Sequence, residues 1–131
     1  MSTALSQIPR APIPAPWGKQ PFDRETAEYC HVLVRTDLSL PQQAVQAIHA
    51  AMAATAEHGG LRPDTRLALL AVPDQPSLLA WGQRLMAKGI AFSLFEEPDH
   101  GIGPSALATA PAPMAQRRCL QRLPLWEGAG R

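Results

Sequence analysis

Only two cysteines occur in the 131 residues, Cys30 and Cys119. That is too few for a disulfide-stapled secreted scaffold, and two reduced thiols in a cytoplasmic protein are the simpler reading, with a single bridge as the alternative. Charge of one sign is also missing. Twelve Lys and Arg face eleven Asp and Glu, a formal net charge of +1, so no overall field draws the chain to nucleic acid or to a membrane surface, and any basic patch is local. No stretch approaches the ~20 apolar residues of a membrane span. The first residues lack the apolar run of a secretory signal. His31, His58 and His100 stand without metal-ligand spacing, which argues against zinc, and no cofactor is expected. The short "GIG" at Gly101 to Gly103 follows a strand but opens no helix, so it reads as a tight turn rather than a phosphate cradle.

Proline is abundant, and its placement divides the chain. Pro9, Pro12, Pro14, Pro16 and Pro21 fall in residues 1–27, where they block helix and sheet ladders, so this region reads as a flexible arm. Residues 28–123 read as one folded domain and residues 124–131 as a C-terminal tail. "YCHVLVR" is a near-continuous apolar run, as in a strand covered on both faces. In "LPQQAVQAIHAAMAATAEHGG", Val45, Ile48, Ala51, Met52 and Thr55 recur at helical spacing and predict a buried stripe, which Gly59 and Gly60 close. "TRLALLAV" predicts a second strand. The clearest helix follows, capped by Asp74, with Pro76 in its first turn and a stripe of Leu78, Leu79, Gly82, Leu85 and Met86. "AFSLF" and "SALATAP" predict two more strands, separated by the acidic loop "EEPDHGIGP". Met114 to Leu123 predicts a last helix with Arg117, Arg118 and Arg122 outward. Two strand-helix-strand units imply right-handed crossovers. The expected fold is a three-layer α/β/α sandwich with a four-stranded mixed, mostly parallel sheet.

One stretch carries more than pattern. "VLVRTDLSL…QAVQAIHAA" resembles the opening of the type 2 peptidyl-tRNA hydrolase family, in which an apolar strand ends in Arg-x-Asp-Leu and a helix with Gln-x-x-His-Ala follows. The matching residues are Arg35, Asp37, Leu38, Gln46, His49 and Ala50. The order of the later elements is similar over about residues 29–112. The family's turn is longer and carries a lysine thought to be catalytic. Here it reads "SLPQQA", without lysine, as in a short bacterial branch. The resemblance implies hydrolysis of the ester between peptide and tRNA, a tRNA partner and a homodimer, for which the apolar segment around Trp126 is a candidate.

Such hydrolysis needs an activated water, a stabilised oxyanion and a grip on phosphate. Asp37 and the acidic loop stand at the C-terminal ends of strands, where open α/β sheets bind ligands. The candidate catalytic residues are therefore Asp37, His49, Glu97 and Asp99, with Glu97 or Asp99 as base and His49 as proton donor or polarising group. The candidate substrate-binding residues are Arg35, Gln46, Lys88 and Ser105, with Arg35 and Lys88 meeting phosphate. Each has a plainer alternative. His49 also reads as a half-buried histidine bonded to the first loop. Gln46 also reads as a cap for strand backbone, and Asp37 as a turn residue. Glu96, Glu97 and Asp99 also read as a solvated loop. A second functional reading is a member of the same fold that binds without catalysis.

Overall fold

A computed structural model describes residues 27–128, apart from 61 and 63. The Pro-rich arm lies outside the described residues up to Ala27. The elements in chain order are β1 (Glu28–Arg35), α1 (Leu40–His58), β2 (Arg66–Val72), α2 (Gln75–Ala87), β3 (Phe92–Glu97), β4 (Gly103–Thr109), β5 (Ala112–Pro113) and a 3-10 segment (Met114–Arg122). The strands form one sheet in the order β2-β1-β4-β3, with the short β5 pairing to β1.

The sheet is mixed, and mostly antiparallel rather than mostly parallel. Among the described residues only β1 and β2 pair in parallel, whereas β1–β4, β3–β4 and β1–β5 are antiparallel. Connection length decides this. The loop from Glu97 to Gly103 is too short for a crossover, so β3 and β4 must form a hairpin. The α2 crossover then carries the chain past β1 to the far edge, and β4 returns between β3 and β1. As a result the C-terminal ends of β1 and β3 and the N-terminal end of β4 share one edge.

Two apolar clusters cover the two faces of the central strands. Val32, Val34, Ala106 and Ala108 pack under Ala47, Ala50 and Ala54 of α1. Leu33, Leu70, Val72 and Leu107 pack under Leu78 and Leu85 of α2 and Leu120 of the 3-10 segment. β1 lies between β2 and β4 with both faces covered, which explains its unbroken apolar run.

Ser39 caps α1 by accepting from the Gln42 N–H at 3.4 Å, and Asp74 caps α2 by accepting from the Ser77 N–H at 2.9 Å. Gly59 leaves α1 at φ 61°, a conformation costly for any side chain.

The inner face of α1 departs from the expected stripe. Val45, Ile48 and Met52 are 44%, 59% and 63% exposed, while Gln43, Gln46, Ala47, Ala50 and Ala54 face the sheet. The small face wins because alanines let the helix approach the sheet closely and two glutamines find partners at the sheet edge. On α2, Leu78, Gly82 and Leu85 are buried as the stripe predicts, but Leu79 and Met86 are exposed.

The last segment is 3-10 rather than α, with a non-helical residue at Arg117 (φ −124°, ψ 25°). That kink turns Arg117 inward, not outward, where it is 1% exposed. Its Nη1 donates to the Tyr29 carbonyl and, at 2.6 Å, to Thr109 Oγ1. The first residues of the expected tail are also part of the fold. Pro124 to Trp126 run antiparallel to β2, with Ala71 N–H donating to the Pro124 carbonyl and Trp126 N–H to the Leu69 carbonyl, both at 2.9 Å.

Candidate functional site

The shared edge collects polar side chains in two groups. One lies on the α1 side and is centred on Gln46, which is fully buried. Its amide nitrogen donates to Glu97 Oε2 at 2.9 Å and to Gln42 Oε1 at 3.0 Å. Its oxygen accepts from the Ser105 hydroxyl at 2.6 Å. Both amide hydrogens and the carbonyl are therefore satisfied, as burial demands. Gln46 bonds other side chains and not strand backbone. Backbone capping falls to Gln43, whose amide donates to the Thr36 and Leu38 carbonyls at 3.2 and 2.7 Å and accepts from the Trp126 indole at 2.7 Å.

Ser105 reaches this group through an irregularity in the sheet. The β3–β4 register passes from Phe95↔Ala106 to Glu96↔Pro104, so Ser105 is an extra residue in β4. A bulge re-aims the side chain it carries. This one turns the buried Ser105 hydroxyl toward α1 instead of toward Leu107 and α2.

Glu97 is partly exposed and accepts from two elements, Gln46 through Oε2 and the Asp99 N–H at 3.3 Å through Oε1. The Gln46 hydrogen bond above all, with lesser help from the Asp99 N–H and the charge of His49, holds its carboxyl below the usual 4.5. His49, one turn after Gln46, is exposed and lies flat on Phe95, ring centroids 4.5 Å apart and planes 4° from parallel. Gln46, His49, Glu97 and Ser105 thus converge. Asp99 joins them through its backbone N–H and, less, its side chain, which also helps depress the Glu97 carboxyl.

The second group lies on the α2 side. Arg35 Nε and Nη2 clamp the Asp37 carboxylate, each at 3.0 Å. Arg35 Nη1 donates to the Ile102 and Pro104 carbonyls at 2.8 and 3.0 Å and to Gln75 Oε1 at 3.4 Å. Strand alternation separates this pair from Gln46: Val34 faces α1, so Arg35 faces α2. Asp37 therefore does not join the Glu97 cluster, and Arg35 is 9% exposed, with its guanidinium bonded on each of its nitrogens. Lys88 belongs to neither group. It follows the C-terminus of the 13-residue α2, which starts at this edge and carries the chain ~20 Å toward the opposite one. Arg62, which pairs with Asp64 and Glu28, is also toward that far end.

Gln42, Gln43, Phe95 and Gln75 escape a reading based on charged and nucleophilic types. The signal was present in "QQAVQ", where Gln42, Gln43 and Gln46 share one helical face. Among the described residues no cluster of three or more His, Cys, Asp or Glu is placed to hold a metal ion. Cys30 and Cys119 are free thiols. No helix of the described residues is long and apolar enough to cross a membrane. Comparison with known proteins finds no matching family model and no matching curated protein.

Proposed function

We propose that the Gln46–Glu97–His49 cluster is a hydrolytic site of the peptidyl-tRNA hydrolase type, acting on the ester between a peptide and the ribose of tRNA. The observation that supports it is the fully bonded, buried Gln46, which fixes an ionised Glu97 beside an exposed His49 at an open sheet edge. A carboxylate whose pKa is lowered by such a hydrogen bond becomes a weaker general base, because the best catalytic pKa lies near the working pH. Its suitable task is to orient a water or a ribose hydroxyl by accepting its hydrogen bond. His49, exposed and within the field of Glu97, is then the group that moves the proton. In the same reading the sheet with α1 and α2 on its faces is a three-layer α/β/α arrangement, and the two free thiols suit a cytoplasmic protein.

A specific observation favours a second reading, a non-catalytic binding module of the same fold. Arg35 is engaged by Asp37 and two carbonyls, and Lys88 and Arg62 lie toward the other end of the sheet. Phosphate contacts dominate the affinity of nucleic-acid binders, and these cations do not gather at the cluster.

Incubation with N-blocked aminoacyl-tRNA, with ester cleavage followed against a buffer blank, separates the two. For a hydrolase, Glu97→Gln and His49→Ala each lower turnover about 100-fold or more, the usual range for a positioned acid or base. Both residues are at least partly exposed, so the unfolding midpoint should hardly move. A wild-type rate equal to the blank excludes the hydrolase.

A further inference from the structure

Arg117 is a buried cation without a counter-ion among the described residues. It is 1% exposed, and no ion pair there involves it. Burial lowers its pKa to about 10, so it is still charged near neutral pH. The two acidic groups whose fields reach it do not neutralise it. Glu28 pairs with Arg62 at 3.7 Å, and burial raises the Cys30 thiol, which keeps its proton. A buried charge left alone is heavily penalised, so a site of this kind normally holds a partner.

The guanidinium bonds through one nitrogen only. Nη1 donates to the Tyr29 carbonyl and to Thr109 Oγ1. Nε is buried with no partner, and Nη2 makes no bond among the described residues. Nε and Nη2 form the edge with which Arg35 clamps the Asp37 carboxylate, at 3.0 Å on each nitrogen. Arg117 presents the same edge unbonded. A second orphan accompanies it. His31 is 3% exposed, and its Nδ1 is buried without a partner. Val32 faces α1, so His31 faces the layer of the 3-10 segment, which carries Arg117. Thr109 Oγ1 accepts from both residues, from Arg117 Nη1 at 2.6 Å and from the His31 N–H at 2.9 Å. Buried polar atoms are bonded as a rule, and two orphans on neighbouring residues point to one shared ligand.

We infer that the Nε–Nη2 edge of Arg117, with the His31 ring beside it, binds one small monovalent anion, a carboxylate of formate size or a halide. Charge sets the valence, because one guanidinium balances one negative charge. Burial sets the size, because residues covered this completely shut out nucleic acid, sugar phosphates and peptides. The planar edge matches two carboxylate oxygens, and a halide sits on the same two N–H groups. His31 Nδ1 becomes a donor when the ring takes up a proton, so anion and proton each favour the other's binding. The bound anion ties the 3-10 segment to β1 and β4. The site is at the Tyr29 end of β1, whereas the Gln46–Glu97 cluster is at the Arg35 end, so the inference does not rest on the hydrolytic reading.

The test is thermal unfolding of the full chain at constant ionic strength, with sodium chloride or sodium formate replacing sodium gluconate, whose anion is too large for the site. The midpoint should rise by about 5 °C between about 1 and about 100 mM chloride or formate, as for a ligand that binds the folded chain with a Kd of about 10 mM. A response to either anion supports the inference, and the stronger of the two identifies the ligand as carboxylate or halide. Arg117→Met removes the charge and both N–H groups and should abolish the dependence. Should that variant fail to fold, the wild type supplies a second readout. The His31 ring titrates at about 4, and its NMR titration should move up toward 6.5 in chloride or formate but not in gluconate, because a nearby negative charge favours the imidazolium. An ordered water at these atoms would leave both readouts indifferent to the exchange of anions, and that result overturns the inference. So does an Arg117→Met chain that keeps the full dependence.

Discussion

Gln46 holds together three elements: α1, the end of β3 and the bulge in β4. Gln46→Ala leaves the buried Ser105 hydroxyl with only a long contact of 3.4 Å to the Phe95 carbonyl. The expected cost is about 1–3 kcal/mol in urea unfolding, the usual penalty for an orphaned buried polar group. The same change removes the largest cause of the depressed Glu97 carboxyl, so its NMR titration should move up toward 4.5. The sign follows from linkage: Glu97 contributes stability above 4.5 that is lost as pH falls through its lower folded value, and Gln46→Ala should diminish that loss. His31 works over a different window. Burial, aided by the nearby Arg117 charge, lowers it from 6.5 to about 4, so the folded chain keeps it neutral while the unfolded chain protonates it. Stability is fully present above pH 6.5 and declines as pH falls from there toward 4. The slope is at most about 1.4 kcal/mol per pH unit for one proton. His31→Leu should flatten the difference curve in that window, and chemical denaturation at several pH values measures it.

At the level of elements, α2 offers the clearest contrast. Leu85 is fully buried against the sheet, and Leu85→Ala should cost roughly 2–5 kcal/mol, read from the denaturant midpoint. Gly82 sits in the same buried stripe, yet a methyl group built there meets Phe92 at 3.5 Å, an ordinary contact. Gly82→Ala should therefore be neutral or stabilising, by up to about 1 kcal/mol, since alanine loses less freedom than glycine on entering a helix. A loss above about 1 kcal/mol would show that Phe92 cannot yield. The element α1 inverts the usual pattern: its larger apolar side chains look outward and its alanines inward. Periodicity detects that a helix is amphipathic but does not tell which of two adjacent apolar stripes meets the sheet.

For the molecule as a whole, the chain end is structural. Pro124 to Trp126 cover part of the β2 edge, and the Trp126 indole donates to Gln43 and packs on the α1-side cluster. Leu125, in the same segment, is 66% exposed. Truncation after Leu123 removes two backbone bonds, the indole bond and the ring packing. It should lower stability by about 2–4 kcal/mol, measured by thermal and urea unfolding. An unchanged midpoint would mean that these residues merely rest on β2.

Local physics alone determined the main strands and the two helices among the described residues, with their caps. Ser39 and Asp74 cap, Pro41 and Pro76 enter first turns, and Gly59 takes a positive φ because nearby residues dictate those roles. The edge that gathers Gln46, His49 and Glu97 was also within reach, because helical spacing and strand ends place them near one another. Other features required the assembled fold. Pairing direction depended on the hairpin between β3 and β4, and the separation of Asp37 from Glu97 depended on strand alternation across a sheet with two covered faces. Ser105 joined Gln46 only through a bulge that appears when β3 and β4 come into register. Arg117 turned inward because the Tyr29 carbonyl and Thr109 hydroxyl, 88 and 8 residues away, offered acceptors that no local pattern contains. Burial of a polar side chain is decided by the partners that distant segments bring to it, and those meet only once the chain has folded.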